Sequence, residues 1–261
     1  MKNILEEIYN YKIKEVRNYK KNLSLTEICK KINCLDVNYD FYQVLKNKDS
    51  NGEISLICEI KKASPSKGII RQDFDHIEIA KQYKEGGATC LSILTDEKYF
   101  MGSIDYLQEV RKMVDLPILR KDFIIDSYQI YQAKMIGADC VLLIVAMLDD
   151  NKLIELEKVA IDLGLSVLIE VHDEKELQRA SKLKSKLLGF NNRNLKSFDV
   201  DIDNSVTLAS IASSDYVLVA ESGINDKLDI DLLQQAGINC FLIGEHFMRQ
   251  KDIASSVKSF L

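Results

Sequence analysis

Several features that would mark particular protein classes are missing from this 261-residue sequence. None of its apolar runs approaches the roughly 20 residues that a membrane-spanning helix needs. The net charge is only −5 and no block of like charge is long enough to suggest a nucleic-acid-binding tail. The amino terminus lacks the uninterrupted apolar core of a signal peptide. These absences predict a cytoplasmic protein that binds neither membranes nor nucleic acid.

The residues that usually form disulfides or metal sites are few and scattered. The six cysteines include no C-x-x-C pair, and the three histidines, His76, His172 and His246, lie far apart in the sequence. Four of the cysteines sit inside or beside apolar runs: Cys58, Cys90, Cys140 and Cys240. Small buried thiols in a reducing compartment are therefore favoured over disulfides or a metal site.

What the sequence does contain is a regular alternation of β-rich runs and helical segments. Strands are predicted at Ile54–Ile60, Thr89–Thr95, Pro117–Lys121, Cys140–Ala146, Ser166–Val171, Leu187–Asn191, Tyr216–Ala220 and Cys240–Gly244. The segments between them have helical spacing, and several end on a glycine shortly before the next strand. Eight strand–helix units in about 200 residues predict an α/β protein with a (β/α)8 barrel.

A doubly wound open sheet is the alternative architecture. Such sheets usually carry a glycine-rich phosphate loop after the first strand, and no G-x-G-x-x-G or P-loop lysine occurs here. Residues 1–50 precede the repeat: Ile4 to Val16 has the spacing of one amphipathic helix, and Thr26 to Tyr42 suggests further short helical pieces. No Pro- or Gly-rich linker follows. We therefore predict one domain over residues 1–261, with 1–50 as a helical extension packed on the barrel.

Charged and amide side chains lie where the predicted strands end. Glu59 and Lys61 are two residues apart, so they point to the same side of the first strand. Taken alone, this pair could be a surface ion pair beside a turn. Barrel enzymes, however, place their chemistry at the carboxyl ends of strands. A barrel would bring Glu59 and Lys61 to one mouth with residues from the other strand ends: Lys121, Glu170, Asn191, Arg193 and Glu221.

The last two predicted strands run into small-residue turns, Ser222-Gly223 and Gly244-Glu245, each expected to lead directly into a helix. Helix amino termini favour anions, and glycine lets an anion approach the backbone closely. Phosphate sites in barrels often lie at this place. The sequence therefore predicts a phosphate site here, although the glycines could simply form tight turns.

Basic residues are concentrated at the predicted strand ends and in the loops after them: Lys61, Lys62, Lys67, Arg120, Lys121 and Arg193. This concentration predicts a positive mouth for a small anionic molecule, rather than the basic outer face that nucleic acid requires. Clustered lysines are also expected to lower one another's pKa, which would help a lysine act as an acid near neutral pH.

Long motifs in these regions resemble those of indole-3-glycerol phosphate synthases, in the same order from about Phe41 to the carboxyl terminus. They are C-E-I-K-K-A-S-P-S-K-G, L-S-I-L-T-D-E-K-Y-F-M-G-S, I-L-R-K-D-F-I, L-I-E-V-H, G-F-N-N-R-N-L, V-A-E-S-G-I and F-L-I-G-E-H-F-M. The resemblance implies conversion of 1-(2-carboxyphenylamino)-1-deoxyribulose 5-phosphate to indole-3-glycerol phosphate, carbon dioxide and water. It implies no cofactor, no metal and a phosphorylated small-molecule substrate. We expect a monomer, with a weak homodimer as the alternative.

The resemblance also implies roles for individual residues. Lys121 would deliver a proton as the five-membered ring closes, and Lys61 with Glu59 would serve the dehydration. Glu170 would be a further acid or base near the sugar hydroxyls, and Asn191 would hydrogen-bond the substrate; which group serves which step stays open. The other residues expected to contact the substrate are Ser64, Pro65, Phe100, Phe123, Arg193 and Glu221. The phosphate would be held by Ser222, Gly223, Gly244 and Glu245.

One departure from the family pattern is His246, where a small hydroxyl residue is more common; phosphate contacts there could be altered.

Two other functions stay open. The chain could be a barrel that binds a phosphorylated metabolite without converting it. It could also be another phosphate-binding barrel, such as a phosphoribosylanthranilate isomerase. That enzyme is expected to use a Cys and an Asp at strand ends, and Cys58 is predicted to point away from Glu59.

Overall fold

Eight parallel strands close into a barrel, which confirms the predicted fold class. The computed structural model describes residues 4–32, 39–194 and 198–261. Its barrel strands are β1 (Ser55–Ile60), β2 (Cys90–Leu94), β3 (Ile118–Lys121), β4 (Cys140–Ile144), β5 (Ser166–Val171), β6 (Leu187–Asn191), β7 (Val217–Glu221) and β8 (Cys240–Ile243). Pairing of β1 with β8, from Ser55 opposite Cys240 to Cys58 opposite Ile243, closes the sheet. Each strand lies at its predicted place in the chain.

Helices surround the barrel and precede it. They are α1 (Ile4–Asn22), α2 (Leu25–Ile32), α3 (Phe41–Ser50), α4 (His76–Gly86), α5 (Glu97–Phe100), α6 (Ile104–Met113), α7 (Ser127–Met135), α8 (Asp150–Asp162), α9 (Glu174–Ala180), α10 (Asp203–Ile211), α11 (Lys227–Gln235), α12 (Glu245–Met248) and α13 (Ile253–Lys258). A 3₁₀ turn covers Val145–Met147, and a short hairpin pairs Ala63–Ser64 with Gly68–Ile69 after β1. None of the described helices is long and apolar enough to cross a membrane.

Three sequence predictions fall partly outside the described residues. Residues 1–3 begin the segment in which no signal peptide is predicted. Residues 33–38 belong to the region of predicted short helical pieces. Leu195 ends the G-F-N-N-R-N-L motif.

Local sequence signals explain where the barrel helices begin and end. The side chain of Asp75 accepts hydrogen bonds from the backbone N–H groups of Ile77 and Glu78, both at 3.0 Å, and so starts α4. That helix ends at Gly87, whose φ of 95° is left-handed and favours glycine. The predicted glycine C-cap is thus confirmed at this position.

The apolar core has two layers because successive strand residues face opposite sides of the sheet. Ile57, Leu119 and Leu168 belong to the cluster inside the barrel, whereas Cys58 belongs to the layer between strands and helices. Phe41 of α3 is fully buried in the inner cluster. Helix α3 packs against β1, β5 and β7 and covers the amino-terminal end of the barrel.

The cysteines that the sequence predicts as buried small hydrophobes fit these layers. Cys90, Cys140 and Cys240 lie in the inner cluster and Cys58 in the outer one, and all four are free thiols. Burial raises the pKa of each thiol, which makes them less reactive than exposed cysteines.

A buried ion cluster attaches α1 to the barrel. The fully buried Lys12 places its Nζ 2.7 Å from Asp122 Oδ1, 2.9 Å from Asp96 Oδ2 and 2.7 Å from Glu15 Oε2. Burial by itself lowers the pKa of Lys12, but these carboxylates raise it above the ordinary lysine range. The ammonium therefore stays charged, and it is paired on three sides.

Arg120 belongs to the same cluster, so its predicted place at the mouth of the barrel is wrong. Its guanidinium is fully buried, 3.0 Å from Asp122 Oδ2 and 3.0 Å from Thr95 Oγ1. Lys62 does not lie at the mouth either, since its Nζ is 5.9 Å from the ring centre of Phe74. Arg120 lies between Leu119 and Lys121, and Lys62 follows Lys61. These neighbours face the barrel interior, so the alternation of side chains turns Arg120 and Lys62 outward.

We predict that Lys12→Met lowers the free energy of unfolding by about 3–5 kcal/mol, because it leaves buried carboxylates without their cation. Urea unfolding measures this loss. Lys20→Met is the matched control on the same helix: its partner Asp126 is at 2.8 Å, but Lys20 is half exposed, so the loss should be about 0–1 kcal/mol. Equal losses in the two variants would contradict the role of the cluster.

The one-domain organisation stays a prediction, which a single unfolding transition by several probes would support.

Candidate active site

A cavity of about 490 Å³ opens at the carboxyl ends of the barrel strands. Every residue to which the sequence assigns a catalytic, substrate-binding or phosphate-binding role lines it: Glu59, Lys61, Ser64, Pro65, Phe100, Lys121, Phe123, Glu170, Asn191, Arg193, Glu221, Ser222, Gly223, Gly244 and Glu245. The strands that supply them are distant in the sequence, and closure of the barrel is what brings their ends together.

Lys121 lies at the centre of the charged groups in this cavity. Its Nζ is 2.5 Å from Glu221 Oε2 and 3.3 Å from Glu170 Oε2. Burial lowers the pKa of Lys121, but Glu221, Glu170 and Glu59 outweigh it and raise that pKa above the ordinary lysine range. The predicted lowering by neighbouring lysines is therefore wrong for Lys121, because its close neighbours are carboxylates.

The two carboxyl groups beside Lys121 have pKa values that are moved in opposite directions. Burial and the charge of Glu170 raise the pKa of Glu221 to about 7, although Lys121 acts to lower it. Burial also acts to raise the pKa of Glu170, but Lys121 and His172 outweigh it and lower that pKa below the usual value. Near neutral pH Lys121 thus lies between an ionised carboxylate, Glu170, and a carboxyl group that exchanges a proton, Glu221, an arrangement suited to acid–base chemistry.

Glu59 and Lys61 form an ion pair on the same side of β1, as predicted. Glu59 is buried. Gly244 leaves space for the carboxylate of Glu59, and Gly189 leaves space for the carboxylate of Glu221. A Cβ atom at Gly244 would collide with the carboxylate of Glu59, and one at Gly189 would collide with the carboxylate of Glu221. Sequence reasoning missed Gly189; the only signal was a glycine inside a strand, where it often marks a close approach.

Apolar side chains form one wall of the cavity. The rings of Phe100 and Phe123 are 5.9 Å apart between centres and tilted by 41°. Ile4, Leu5 and Ile8 of α1 also line the cavity. Sequence reasoning placed these three residues on an amphipathic helix, but the pattern does not reveal that the helix reaches the carboxyl-terminal mouth.

Polar side chains hold one another in place beside this wall. Asn191 Nδ2 donates to Glu170 Oε1 at 3.2 Å, and Asn191 Oδ1 accepts from the backbone N–H of Arg193 at 3.0 Å. Ser64 lies in the short hairpin after β1, where its hydroxyl is 3.4 Å from that of Ser66. The amide of Asn191 is therefore oriented by its neighbours before any ligand enters.

The turns after β7 and β8 differ from each other in the way they meet the next helix. Gly244 leads directly into α12, as predicted. Ser222-Gly223 does not: α11 begins at Lys227, and Asp226 caps it by accepting from the backbone N–H groups of Leu228 and Asp229. The predicted direct helix start after Gly223 is therefore wrong, because Asp226 already occupies the amino terminus of α11.

Basic side chains lie beside these turns. Glu245 Oε1 is 2.9 Å from Arg249 Nη2, and Glu245 Oε2 is 3.8 Å from Arg193 Nη2. His246 also lines the cavity, and burial lowers its pKa. Two arginines thus lie beside Glu245 at the turn after β8. No group of three or more His, Cys, Asp or Glu side chains in the described ranges is placed to hold a metal ion.

Comparisons with known proteins agree with one another. A family model described as indole-3-glycerol phosphate synthase matches residues 5–260. The indole-3-glycerol phosphate synthase of a Polaromonas species (strain JS666) is 47% identical over 252 residues, covering 97% of this chain and 96% of that protein. The one from Prochlorococcus marinus subspecies pastoris is 49% identical over 264 aligned residues, covering 98% of this chain and 88% of that protein.

Similarity to solved structures extends to more distant barrels. A 3-hexulose-6-phosphate synthase from Salmonella typhimurium aligns with a TM-score of 0.65 at 11% identity, covering 79% of this chain and 96% of that chain. At this identity the similarity shows the fold alone. With a family model that covers nearly the whole chain and relatives close to half identical, this chain belongs to the indole-3-glycerol phosphate synthase family.

Proposed function

We propose that this chain converts 1-(2-carboxyphenylamino)-1-deoxyribulose 5-phosphate to indole-3-glycerol phosphate, carbon dioxide and water, as a carboxy-lyase of tryptophan biosynthesis. The observation that carries the proposal is the buried ammonium of Lys121, held between Glu170 and Glu221 in a cavity with an apolar wall. Membership of the family supports the same reaction.

Lys121 serves the ring closure in this proposal. The aromatic carbon attacks the sugar ketone, and negative charge develops on the ketone oxygen. The raised pKa keeps Lys121 protonated, so its positive charge stabilises that oxygen and its proton is then transferred to it. Glu170 and Glu221 hold the ammonium in place and restore its proton.

Lys61 and Glu59 serve the dehydration that follows loss of carbon dioxide. The leaving hydroxyl needs an acid, and the proton that departs from the new five-membered ring needs a base. The ion pair places an ammonium and a carboxylate side by side at the carboxyl end of β1 for these two tasks. Glu170 and Asn191, joined by a hydrogen bond, would contact the sugar hydroxyls.

The remaining predicted residues would orient the substrate. Phe100, Phe123 and Pro65 would contact its aromatic ring, and Ser64 its carboxylate. The phosphate would lie at the opposite end against backbone N–H groups of Ser222, Gly223, Gly244 and Glu245, with Arg193 nearby. The proposal is supported by the contact between the rings of Phe100 and Phe123 and by the place of Arg193 near Glu245, both in the lining of the cavity.

The proposal also covers the setting in which the enzyme works. It includes a cytoplasmic location and no partner other than the phosphorylated small molecule, with no nucleic acid and no membrane. It includes a monomer, with a weak homodimer as the alternative. It requires neither cofactor nor metal, because proton transfers and charge stabilisation by side chains suffice for each step.

We predict that Lys121→Met lowers kcat by about 10²-fold or more, because the variant loses the proton donor of ring closure. Formation of the indole product can be followed by its fluorescence, and the absence of tryptophan from the chain keeps the background low. Lys62→Met is the matched control, since Lys62 is next to Lys61 in the chain but points to Phe74 and does not line the cavity. A folded wild type that binds the substrate and forms no product would instead support a barrel that only binds.

A second prediction concerns the proton on Glu221. The pKa of Glu221 is about 7 in the folded protein and above its unfolded value of about 4.3, so only the folded protein keeps this proton in the interval between. The stabilisation from this group is present below the unfolded pKa and is lost as the pH rises to about 7. Glu221→Gln cannot lose a proton. Its free energy of unfolding, minus that of wild type, should therefore rise by up to about 4 kcal/mol across this interval.

Urea unfolding at a series of pH values measures that difference. Glu85→Gln, the same chemical change on the exposed face of α4, is the control and should run parallel to wild type. A difference for Glu221→Gln that stays constant with pH would contradict the raised pKa of Glu221.

A further inference from the structure

We propose that Arg71 is a positioning residue that fixes the distance between the two ends of the substrate site. One end is the loop after β1, which would contact the carboxylate and the aromatic ring of the substrate. The other end is the turn after β8, which would contact the phosphate. The inference rests on the function proposed above, and it adds a residue that does not itself line the cavity.

The guanidinium of Arg71 connects the loop after β1 with the end of α12. Its Nη1 donates to the backbone carbonyls of Met248 at 3.1 Å and Gln250 at 2.8 Å. Its Nε donates to the backbone carbonyl of Asp73 at 3.4 Å, and its Nη2 lies 3.1 Å from Asp73 Oδ2. The side chain is only 12% exposed. Because a guanidinium is planar and its donors diverge at fixed angles, these contacts hold the loop and α12 in one relative position.

On the loop side, the backbone joins Arg71 to the residues that line the cavity. The N–H groups of Ile70 and Arg71 both donate to the carbonyl of Lys62, at 2.8 Å and 3.4 Å. The short hairpin after β1 lies between these points. It lines the cavity with Ser64, Pro65, Ser66 and Lys67. A shift of Arg71 would therefore also shift the hairpin that faces the substrate.

On the other side, Arg71 holds the end of a very short helix. Met248 is the last residue of α12, and the last carbonyls of a helix have no partner within it. Arg71 supplies the missing donor together with a positive charge, which is favourable at this end of a helix. Since α12 has only four residues, a contact at its end also fixes the turn at its start, Gly244-Glu245.

The separation of these two elements matters because the substrate carries two linked groups. A linked ligand binds more tightly than its separate parts only when both parts reach their places at the same time. A displacement of about 1 Å can cost about 10²-fold. A fragment that occupies one end does not depend on the separation. Loss of Arg71 should therefore weaken the whole substrate and spare its fragments.

Arg71→Met tests this difference, because it keeps an unbranched stem and removes every donor. The KM for the substrate should rise about tenfold or more, with kcat changed less. The dissociation constants of 2-(methylamino)benzoate and of inorganic phosphate, measured by nuclear magnetic resonance titration, should change less than about twofold. An unchanged KM would overturn the proposal, and so would equal weakening of substrate and fragments. A merely structural role would lower the active fraction, and hence kcat, at constant KM, which is again a result against the proposal.

Arg179→Met is the matched control, because Arg179 makes the same kinds of contact elsewhere. It donates to the carbonyls of Val145 at 2.9 Å and Leu148 at 2.5 Å, and its Nε lies 2.7 Å from Asp150 Oδ1. It holds the loop after β4, which contains none of the residues proposed to contact the substrate. Its KM should equal that of wild type. An equal rise of KM in both variants would show a general loss of order and would contradict the proposal.

Arg71→Lys is a milder second variant that keeps the positive charge. Its single ammonium cannot hold both carbonyls of α12 and Asp73 in the geometry of the guanidinium. The KM should therefore lie between those of wild type and Arg71→Met. A wild-type KM in Arg71→Lys would overturn the claim that the planar group sets the separation.

Hydrogen exchange of backbone amides separates this inference from the proposed function, because it needs no substrate. In Arg71→Met, exchange should become faster both in residues 62–71 and in residues 245–250, although Arg71 and Met248 are 177 positions apart in the sequence. In Arg179→Met neither segment should change. Faster exchange in only one of the two segments would overturn the connection whether or not the enzyme turns over. The expected exchange without turnover by wild type would instead contradict the function alone.

Discussion

The site depends on one layer of side chains at the top of the barrel. Strands β1, β3, β5 and β7 each point one residue inward at this level: Glu59, Lys121, Glu170 and Glu221. In barrels such layers of four come from alternate strands and are usually filled by branched apolar residues. Here three carboxylates and one ammonium share the layer. Their proximity follows from closure of the sheet, because no two of them are near in the sequence.

This layer explains why acid and base functions coexist in one small space. A single ammonium cannot neutralise three buried carboxylates, so the surroundings favour uptake of a proton. Lys61 pairs with Glu59, which leaves Lys121 to Glu170 and Glu221. Of these two carboxyl groups, Glu221 takes the higher pKa and Glu170 the lower. Gly189 on β6 and Gly244 after β8 carry no Cβ atom, and this leaves space for the carboxylates of Glu221 and Glu59.

The amino-terminal helices connect the stability of the barrel with its function. Helix α3 covers the amino-terminal end, and α1 lines the cavity at the other end. Lys12 holds α1 through Asp122, the residue directly after Lys121. The same buried cluster that anchors the helix therefore also supports the end of β3. We expect changes in this cluster to affect both the free energy of unfolding and the shape of the cavity.

The sequence by itself determined the barrel, the places of its strands and the charged residues at their carboxyl ends, because periodicity and the ends of parallel strands are local features. Ser64, Pro65, Phe100 and Phe123 were expected only from the family resemblance, and the arrival of α1 at the cavity was not predicted. The alternation of β3 also predicts that Arg120 points outward, although its charge and its place at the strand end suggested the mouth of the barrel. The tertiary structure alone decided that Lys121 lies among carboxylates, that Asp226 caps α11 and that His172 faces Glu170 and Glu176. The contact between Lys121 and Glu221 spans 100 residues. Electrostatic effects between such groups depend on distance and burial in space, which no local pattern records.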